Sequence, residues 1–584
     1  MTGWSAPTRD TLFVLNDVLG VTDCELPGYD ALDEDTVQAV VEGMGKFCTE
    51  VLAPLNPVAD AQGCTRHDDG SVTTPEGFKE AYAQLVESGW NTLAAAEEYG
   101  GQGMPHVLGT VFEEYMNSAC PGFMMYPGIV GGATSTIIAS GSDHLKDSYV
   151  PKIISGEWLA TMALTEGHAG TDLGLMRTKA EPRGNGTYAL SGEKIFISGG
   201  EHDLTDNIVH LVLARVPDAP AGSRGISLFL VPKILPDGER NTLSCAAIEH
   251  KMGLNGSATC VMNFDGATGW LLGEENAGLA AMFIMMNAAR LGVGVQGLAH
   301  AEHAYQRAAA YALERMQGRA MGERPDPSAP ADSLLVHPDV RRLLLDARAF
   351  AEGFRALVLW TAMQIDRSHT APSKEERQEA DALVSFLTPV IKAYGTDRGF
   401  ETAVDMQQVF GGHGYVKEWG MEQIVRDARI GMIYEGANGV QAMDLAGRKL
   451  AKDGGQVATR FAQMVEAELA DAPEWIAAPM GAALADTAAS ARWILEHAAE
   501  DPNNLGAASY AFMEMIGVVA IGWMWVRMVK AVDGRDDDFA TAKRVTARHY
   551  VQQALPETAA LRRRIEAGAE NLMALPAEEF VRQV

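Results

Sequence analysis

The spacing of apolar residues changes from helical to strand-like near residue 158. Between Asp35 and Ile154, apolar side chains recur at helical spacing, and turns that contain glycine and proline separate the segments. The segments that follow are short, rich in β-branched residues and roughly alternating, which is typical of β-strands. They comprise residues 188–197, 208–216, 226–232 and 259–272.

Helical spacing returns at Gly278 and continues towards the end of the chain, interrupted by a proline-rich loop at residues 322–330. A helix–sheet–helix order predicts an α+β fold with an N-terminal helical domain, a middle antiparallel β domain and a C-terminal helical bundle. Further helical segments after Gly455 predict a helical extension of about one small domain. The predicted boundaries are 1–34 for a lead-in, then 35–157, 158–275, 276–453 and 454–584.

Length and charge restrict the classes of function. A chain of 584 residues is too long for one hydrophobic core. Its net charge of −30 disfavours nucleic acid or an anionic membrane surface as the main partner. A run of three arginines at 562–564 leaves DNA binding as a minor alternative. Any phosphate-bearing ligand therefore has to be held by local arginines and backbone N–H groups.

The cysteines and the apolar runs favour a cytoplasmic protein. Six scattered cysteines form neither a zinc spacing nor a dense disulfide framework. The N-terminal residues lack the basic and apolar regions of a signal peptide. The most apolar run, Met515 to Val526, is shorter than the roughly 18 residues that span a bilayer, so we predict a buried core helix.

One carboxylate lies in an unusual position, before a glycine turn and after an apolar run. The segment Met432-Ile-Tyr-Glu-Gly436 leads into a turn and then into helical spacing from Val440. Partial desolvation between isoleucine and tyrosine would make Glu435 a stronger base. A carboxylate that only stabilises the N-terminus of the following helix is the alternative, and this segment alone does not decide between them.

Two histidines, His300 and His303, lie three residues apart on a predicted helix and flank Glu302. This spacing is that of a metal-ligand pair, but no matching glutamate–histidine pair occurs elsewhere. We therefore interpret them as ordinary exposed helix residues and predict no metal site.

Two motifs in register carry a resemblance to a known family. The segment Ile433-Tyr434-Glu435-Gly436 resembles the active-site loop of the acyl-CoA dehydrogenases. Upstream, Gln408-Val-Phe-Gly411-Gly412-His-Gly414 resembles the family's Gln-x-x-Gly-Gly-x-Gly stretch, and Gln408 precedes Glu435 by 27 residues (435 − 408). The resemblance covers about residues 35–450 and implies the acyl-CoA dehydrogenase fold, an FAD cofactor and Glu435 as catalytic base.

Two further motifs resemble the family's flavin contacts in the middle domain. The first, Thr165-Glu-Gly-His-Ala-Gly170-Thr171-Asp, has glycine at 167 where the family usually has proline, and threonine at 171 where it has serine. The second, Phe196-Ile197-Ser198, resembles a strand end that packs on the flavin ring. The resemblance implies FAD binding by Thr165, Gly170, Thr171, Phe196, Ile197 and Ser198.

The resemblance also implies residues that complete the FAD site of a neighbouring subunit. Arg290 and Arg315, placed on one helix from Phe283 to Met316, match family arginines. The family usually continues differently after the second arginine, so Gln317 departs from the pattern. The implied cofactor contacts are Arg315, Gln317, Gln408, Gly411, Gly412 and Ala437, and the implied substrate contacts are Thr171, Arg290, Tyr434 and Gly436.

By resemblance, the chain oxidises an acyl-CoA thioester at its α,β-bond and passes electrons to an electron-transferring flavoprotein. The lead-in and the extension resemble the bacterial branch that acts on 3-(methylthio)propanoyl-CoA in dimethylsulfoniopropionate degradation. A short- or medium-chain fatty acyl-CoA is the alternative substrate, and an acyl-CoA oxidase is a further alternative. The extension is expected to occupy the face on which simpler relatives pair their dimers, which predicts a homodimer.

Overall fold

The computed structural model describes residues 3–581 of the chain, which form two compact units. One unit contains Trp4–Ala6 and Glu42–Gly292, and the other contains Pro7–Val41 and residues 293–581. The predicted α+β class and the helix–sheet–helix order are confirmed. The predicted positions of the domain boundaries stay a prediction.

The N-terminal part is mainly helical, as the apolar spacing predicts. Helix α5 is a core helix, because eleven of its fourteen residues are buried, including Val107, Val111 and Tyr115. The elements are α1 (Thr8–Leu12), α2 (Glu34–Phe47), α3 (Leu55–Gln62), β1 (Thr65–Arg66), β2 (Val72–Thr73), α4 (Phe78–Glu87), α5 (His106–Ala119), α6 (Pro121–Met124), α7 (Val130–Ser140) and α8 (Asp143–Ile154).

A seven-stranded sheet follows, in which the order is β3–β6–β7–β9–β5–β4 and β8 pairs with β9. Its strands are β3 (Trp158–Ala163), β4 (Lys179–Pro182), β5 (Tyr188–Ser198), β6 (Asn207–Ala214), β7 (Ser227–Pro232), β8 (Leu243–Ile248) and β9 (Thr259–Leu272). All pairs are antiparallel except β3 with β6, which is parallel. Every residue of β6 and β7 is buried, so these strands lack the polar alternation of a half-exposed sheet.

Long helices form the bundle. Ser373 and Glu376 form a capping box at the start of α11, which fixes where that helix begins. The helices are α9 (Gly278–Glu314), α10 (Pro338–Thr370), α11 (Lys374–Val409), α12 (Met421–Ala428) and α13 (Asn438–Met443). Helix α9 ends at Glu314, so the prediction that Arg315 lies within this helix was wrong, and Arg315 is the first residue after it.

The predicted helical extension is present. Its helices are α14 (Gln456–Leu469), α15 (Glu474–His497), α16 (Pro502–Ala531), α17 (Asp538–Gln553), α18 (Glu557–Glu566) and α19 (Glu570–Ala574). Residues 515–526 of α16 are all buried, which confirms the predicted core helix. By length and composition alone, α9 and α16 are apolar enough to cross a membrane, but 72% of the apolar window of α16 is buried inside the protein.

A buried ion cluster ties the lead-in and the extension to the bundle helices of the same unit. It consists of Asp10 on α1, Glu302 on α9, Glu352 and Arg355 on α10, and Lys543 on α17. Arg355 contacts Asp10 at 2.5 Å and Glu302 at 2.9 Å. Lys543 contacts Glu352 at 2.8 Å and also bonds to Asp10. Buried charges of opposite sign compensate one another, and their partners come from three distant parts of the chain.

The interpretation of His300 and His303 as exposed residues was wrong. Both histidines are buried, and burial lowers the pKa of His300 to about 4. Glu302 between them pairs with Arg355 of the ion cluster. Within residues 3–581, no group of three or more histidine, cysteine, aspartate and glutamate side chains is arranged to hold a metal ion.

Candidate active site

A short loop between α12 and α13 carries the predicted base. Residues 429–432 form a 3-10 turn after α12, and residues 433–437, which we name the base loop, lead to the start of α13 at Asn438. Glu435 is half-buried and has a φ of 55°, in the left-handed region that non-glycine residues rarely occupy. Gly436 follows with a φ of 85°. Such strain persists only where surrounding contacts hold it, and it is common at functional positions.

Hydrogen bonds to backbone oxygens hold the base loop. The buried amine of Lys392 donates to the carbonyl oxygen of Gly436 at 2.8 Å. The side-chain amide of Gln441 donates to the carbonyl oxygens of Glu435 at 3.3 Å and Gly436 at 3.4 Å. These contacts fix the backbone that follows the Glu435 side chain.

Tyr434 is fixed beside the carboxylate. Its hydroxyl donates to the side-chain oxygen of Gln296 on α9. Burial, and after it the charge of Glu435, raises the pKa of Tyr434 well above its ordinary value, so the phenol stays neutral. The exposed side chain of Ile433 adds an apolar surface on the preceding residue.

Contacts at the end of α9 bring together two segments that carry predicted cofactor-binding residues. Tyr311, one helical turn before Arg315, stacks on Phe410 with ring centroids 4.1 Å apart. Its hydroxyl is 3.0 Å from Nδ1 of His413, within the 3-10 turn Gly411–Tyr415. These contacts bring the segment that carries Arg315 next to the turn that carries Gly411.

This region presents donors suited to a phosphate. Arg315, Gln408, Gly411 and Gly412 are exposed. A Cβ atom added at Gly411 or Gly412 would meet nothing within 4 Å, so the backbone there is open to a ligand. An arginine side chain and an open glycine backbone are groups that can bind an anion. Gln317 is also exposed, but its backbone pairs with Asp332 and His337.

In the other unit, the turn after β3 is anchored through its glutamate. Glu166 accepts hydrogen bonds from the backbone of Arg177 at 2.7 Å and Thr178 at 3.0 Å, and from the amine of Lys194 at 2.9 Å. Burial alone raises the pKa of Glu166, but Lys194 and these hydrogen bonds lower it to about 2. The anchored turn leaves Thr165 half-buried and Gly170 and Thr171 exposed.

The end of β5 presents an aromatic ring to solvent. The register between β5 and β9 shifts between Lys194 and Ile197, and Phe196 within this bulge has a φ of 60°. The Phe196 side chain is 59% exposed, whereas Ile197 is buried. The backbone of Ile195 donates to Thr165 at 2.9 Å, which joins this strand end to the turn after β3. An exposed aromatic ring on a strand end joined to the turn that carries Thr165 fits a flat ring system.

The remaining predicted residues have simpler surroundings. Arg290 on α9 is half-buried, with its guanidinium carbon 5.8 Å from the centre of the Phe283 ring. Ala437 is the last residue before α13 and is half-buried. The roles of the predicted site residues stay predictions, although the local geometry fits FAD in both units.

Sequence reasoning missed four polar residues that support these segments. Lys194, Lys392, Asn438 and Gln441 are all buried. A lone lysine in an apolar run, as in Val390-Ile-Lys-Ala393, was the available signal, because a buried lysine needs several acceptors.

Comparison with known proteins matches the chain along nearly its whole length. Residues 34–157, 161–267 and 276–450 match the N-terminal, middle and C-terminal domains of acyl-CoA dehydrogenases. Residues 459–576 match a domain described as "Acetyl-CoA dehydrogenase C-terminal like".

Named relatives and a solved structure agree with these matches. The chain is 44% identical to 3-methylmercaptopropionyl-CoA dehydrogenase of Ruegeria pomeroyi, over 98% of this chain and 99% of that protein. It is 33% identical to the broad-specificity linear acyl-CoA dehydrogenase FadE5 of Mycobacterium tuberculosis, over 99% of this chain and 100% of that protein. An acyl-CoA dehydrogenase of Bacillus anthracis, solved with FAD, matches this chain with a TM-score of 0.75 and 22% identity. The match covers 93% of this chain and 90% of that structure. The chain therefore belongs to the acyl-CoA dehydrogenase family of FAD-dependent oxidoreductases.

Proposed function

We propose that the chain dehydrogenates 3-(methylthio)propanoyl-CoA to 3-(methylthio)acryloyl-CoA, a step in dimethylsulfoniopropionate degradation. The observation that carries this proposal is the 44% identity, over nearly all of both chains, to a dehydrogenase named for the same acyl group. A short- or medium-chain fatty acyl-CoA is the second candidate. The near full-length match to a broad-specificity linear acyl-CoA dehydrogenase supports it.

Glu435 is the proposed base, and it removes a proton from the α-carbon of the thioester. Bound FAD supplies the acceptor for the hydride that leaves the β-carbon. A bound acyl chain that covers the exposed apolar side chain of Ile433 would exclude water from the carboxylate, which keeps it basic. The backbone N–H of residue 435 is the proposed donor to the thioester carbonyl, where negative charge develops.

The FAD contacts are proposed separately for each unit. Thr165, Gly170, Thr171 and Ser198 provide polar contacts from the turn after β3 and the end of β5. Phe196 and Ile197 provide the apolar contacts of that strand end. In the other unit, Ala437 is a contact near the base, and the set of residues proposed to bind the FAD of a neighbouring subunit comprises Arg315, Gln317, Gln408, Gly411 and Gly412.

Substrate contacts follow the same reasoning. Tyr434 and Gly436 flank the base, so they are placed to contact the reacting part of the thioester. Thr171 and Arg290 are the proposed polar contacts to the CoA portion, since a hydroxyl and a guanidinium suit its phosphate and amide groups.

A panel of acyl-CoA thioesters tests the substrate proposal. Under anaerobic conditions, 3-(methylthio)propanoyl-CoA and butanoyl-CoA are expected to bleach the flavin absorbance rapidly, whereas palmitoyl-CoA does so slowly. Stopped-flow absorbance at the flavin band gives the rates. Faster bleaching by palmitoyl-CoA than by the short thioesters would contradict the assignment. An assay of the same protein in air, without an added electron acceptor, distinguishes a dehydrogenase from an oxidase. An oxidase turns over under those conditions, whereas a dehydrogenase does not.

The protein is proposed to work as a homodimer that reduces an electron-transferring flavoprotein. If Arg315 and Gln408 bind the FAD of a neighbouring subunit, a flavin-replete monomer does not persist. Light scattering of the yellow protein is expected to give the mass of two chains. A flavin-replete monomer would contradict the shared FAD site, and a tetramer would contradict the role proposed for the extension.

DNA binding through the arginine run finds little support. Arg562 pairs with Glu566 at 2.7 Å and with Asp486 at 3.4 Å, so its charge is already compensated. The net charge of −30 also opposes binding to a polyanion.

A further inference from the structure

A chain of hydrogen bonds links the helical extension to the base loop. At one end, the hydroxyl of Tyr510 on α16 donates to Oδ2 of Asp397 on α11 at 2.5 Å. The other carboxylate oxygen of Asp397 accepts from the side-chain amide of Asn438 at 2.7 Å. Asn438 is the first residue of α13 and is 4% exposed. A residue of the extension is thus linked through Asp397 to the helix that begins three positions after Glu435.

The chain continues from Asn438 to the backbone of the base loop. The side-chain oxygen of Asn438 accepts from the amine of Lys392 at 2.7 Å, and the same amine donates to the carbonyl oxygen of Gly436 at 2.8 Å. Lys392 is fully buried and Asp397 is 8% exposed. Hydrogen bonds in which one partner is a buried charged group are strong, and losing one affects the others.

The base loop needs such support because its conformation is unfavourable in isolation. The φ of 55° at Glu435 puts a long side chain in the left-handed region. A carboxylate that removes a proton has to be held close to the reacting atom, and a misplacement of about 1 Å can cost about 100-fold in rate.

We propose that Tyr510 is a positioning residue for Glu435, acting through Asp397, Asn438 and Lys392 on the carbonyl oxygen of Gly436. This proposal rests on the proposed function, in which Glu435 is the base. It gives the extension a part in the reaction: chains that lack α16 have to orient the same loop by other contacts.

The ionisation of Asp397 provides a signature of this linkage. The groups that face Asp397 are Lys392 on its own helix, Arg429 after α12, Asn438 on α13, and Tyr510 and Glu514 on α16. Burial raises the pKa of Asp397, and the hydrogen bonds from Tyr510 and Asn438 oppose this rise. Removing the Tyr510 hydroxyl raises this pKa further, so Asp397 becomes protonated at a higher pH.

Tyr510→Phe tests the proposal, with Tyr550→Phe as the matched control. Tyr510 is 37% exposed, so the loss of one hydroxyl leaves the fold intact. Tyr550 on α17 also donates its hydroxyl, to the carbonyl oxygen of Val518 on α16 at 2.8 Å, but it has no place in the chain of bonds described above. Tyr510→Phe is expected to lower kcat by about 10- to 100-fold with KM little changed. As pH is lowered, kcat of Tyr510→Phe should begin to fall at a higher pH than kcat of the wild type. Tyr550→Phe should keep the wild-type kcat and the wild-type pH dependence.

Hydrogen exchange supplies a readout that does not depend on turnover. In the substrate-free holoenzyme, amides of residues 433–438 are expected to exchange faster in Tyr510→Phe than in wild type or Tyr550→Phe. The proposal would be overturned if Tyr510→Phe had the wild-type kcat, the wild-type pH dependence of kcat and the wild-type rates of amide exchange. It would also be overturned if Tyr510→Phe and Tyr550→Phe had equal effects. The parallel variant Glu435→Gln separates the failures. If Glu435→Gln is inactive and Tyr510→Phe is unchanged, only the positioning role fails, whereas an active Glu435→Gln removes the proposed base and the positioning role together.

Discussion

Glu435→Gln is expected to lower turnover by at least about 10²- to 10⁴-fold, because the amide keeps the size of the side chain but cannot accept the α-proton. The flavin should remain bound, since its proposed contacts, such as Thr165 and Arg315, are elsewhere. Substrate should still bind, because the backbone N–H of residue 435 is unchanged. Turnover with an added dye acceptor, flavin absorbance and thioester binding are the measurements.

Glu466→Gln is a suitable control for this substitution, because Glu466 is exposed on α14 of the extension. It should keep wild-type turnover. If Glu435 served only as a charge near the N-terminus of α13, its substitution would cost at most about 1 kcal/mol of stability and leave turnover intact. That result, in a folded yellow protein, would remove Glu435 from the mechanism.

Among the substitutions proposed for this protein, Lys543→Met is expected to cause the largest loss in the free energy of unfolding. The amine of Lys543 is fully buried and contacts Asp10 and Glu352, and methionine leaves both carboxylates without this cation. Removing one partner of a buried ion pair costs about 3–5 kcal/mol in the free energy of unfolding. Denaturant unfolding of the holoenzyme measures this loss of stability. The relevant transition is the one in which the bundle and the extension unfold.

The pH dependence of this loss has a defined sign. Burial raises the pKa of Asp10, but Lys543 and Arg355 outweigh it and hold this pKa below its usual value. A depressed pKa contributes stability that is present above the unfolded value and lost as pH falls through the folded value. Without Lys543 the folded pKa of Asp10 rises, so the variant should lose stability from a higher pH than wild type.

Lys530→Met is the control for the ion cluster, because Lys530 is only partly buried in the last turn of α16. Its loss should change stability by less than about 1 kcal/mol. Equal stability of Lys543→Met and Lys530→Met would show that the cluster does not hold the lead-in and the extension to the bundle.

The fold was predictable from the sequence to the level of class and domain order. Apolar spacing marks α5 and α10 clearly, and short runs rich in β-branched residues mark β5, β6, β7 and β9. The end of α9 was misplaced because residues Arg315 and Met316 continue a helical composition, whereas the backbone of Gln317 instead pairs with Asp332. The parallel pairing of β3 with β6 was also invisible, since an apolar strand does not reveal the direction of its neighbour.

The site was predictable only where a motif was local. The base loop and the turn Gly411–Tyr415 are short segments whose residues are adjacent in sequence. Tyr510 is 75 residues after Glu435 (510 − 435), and no local pattern connects a helix tyrosine with a loop that far away. The burial of His300 likewise depends on the helices that cover it, which a single-helix pattern cannot indicate.

Proton exchange at the α-carbon tests the central claim most directly, because it isolates the step assigned to Glu435. In (methylthio)acetyl-CoA, sulfur occupies the β-position, so an α-proton can be removed but no hydride can leave. In D₂O the wild-type holoenzyme is expected to exchange the α-hydrogens of this thioester for deuterium, as measured by NMR. Glu435→Gln should do so at least about 100-fold more slowly while binding the thioester. Equal exchange rates for the two proteins would contradict the account.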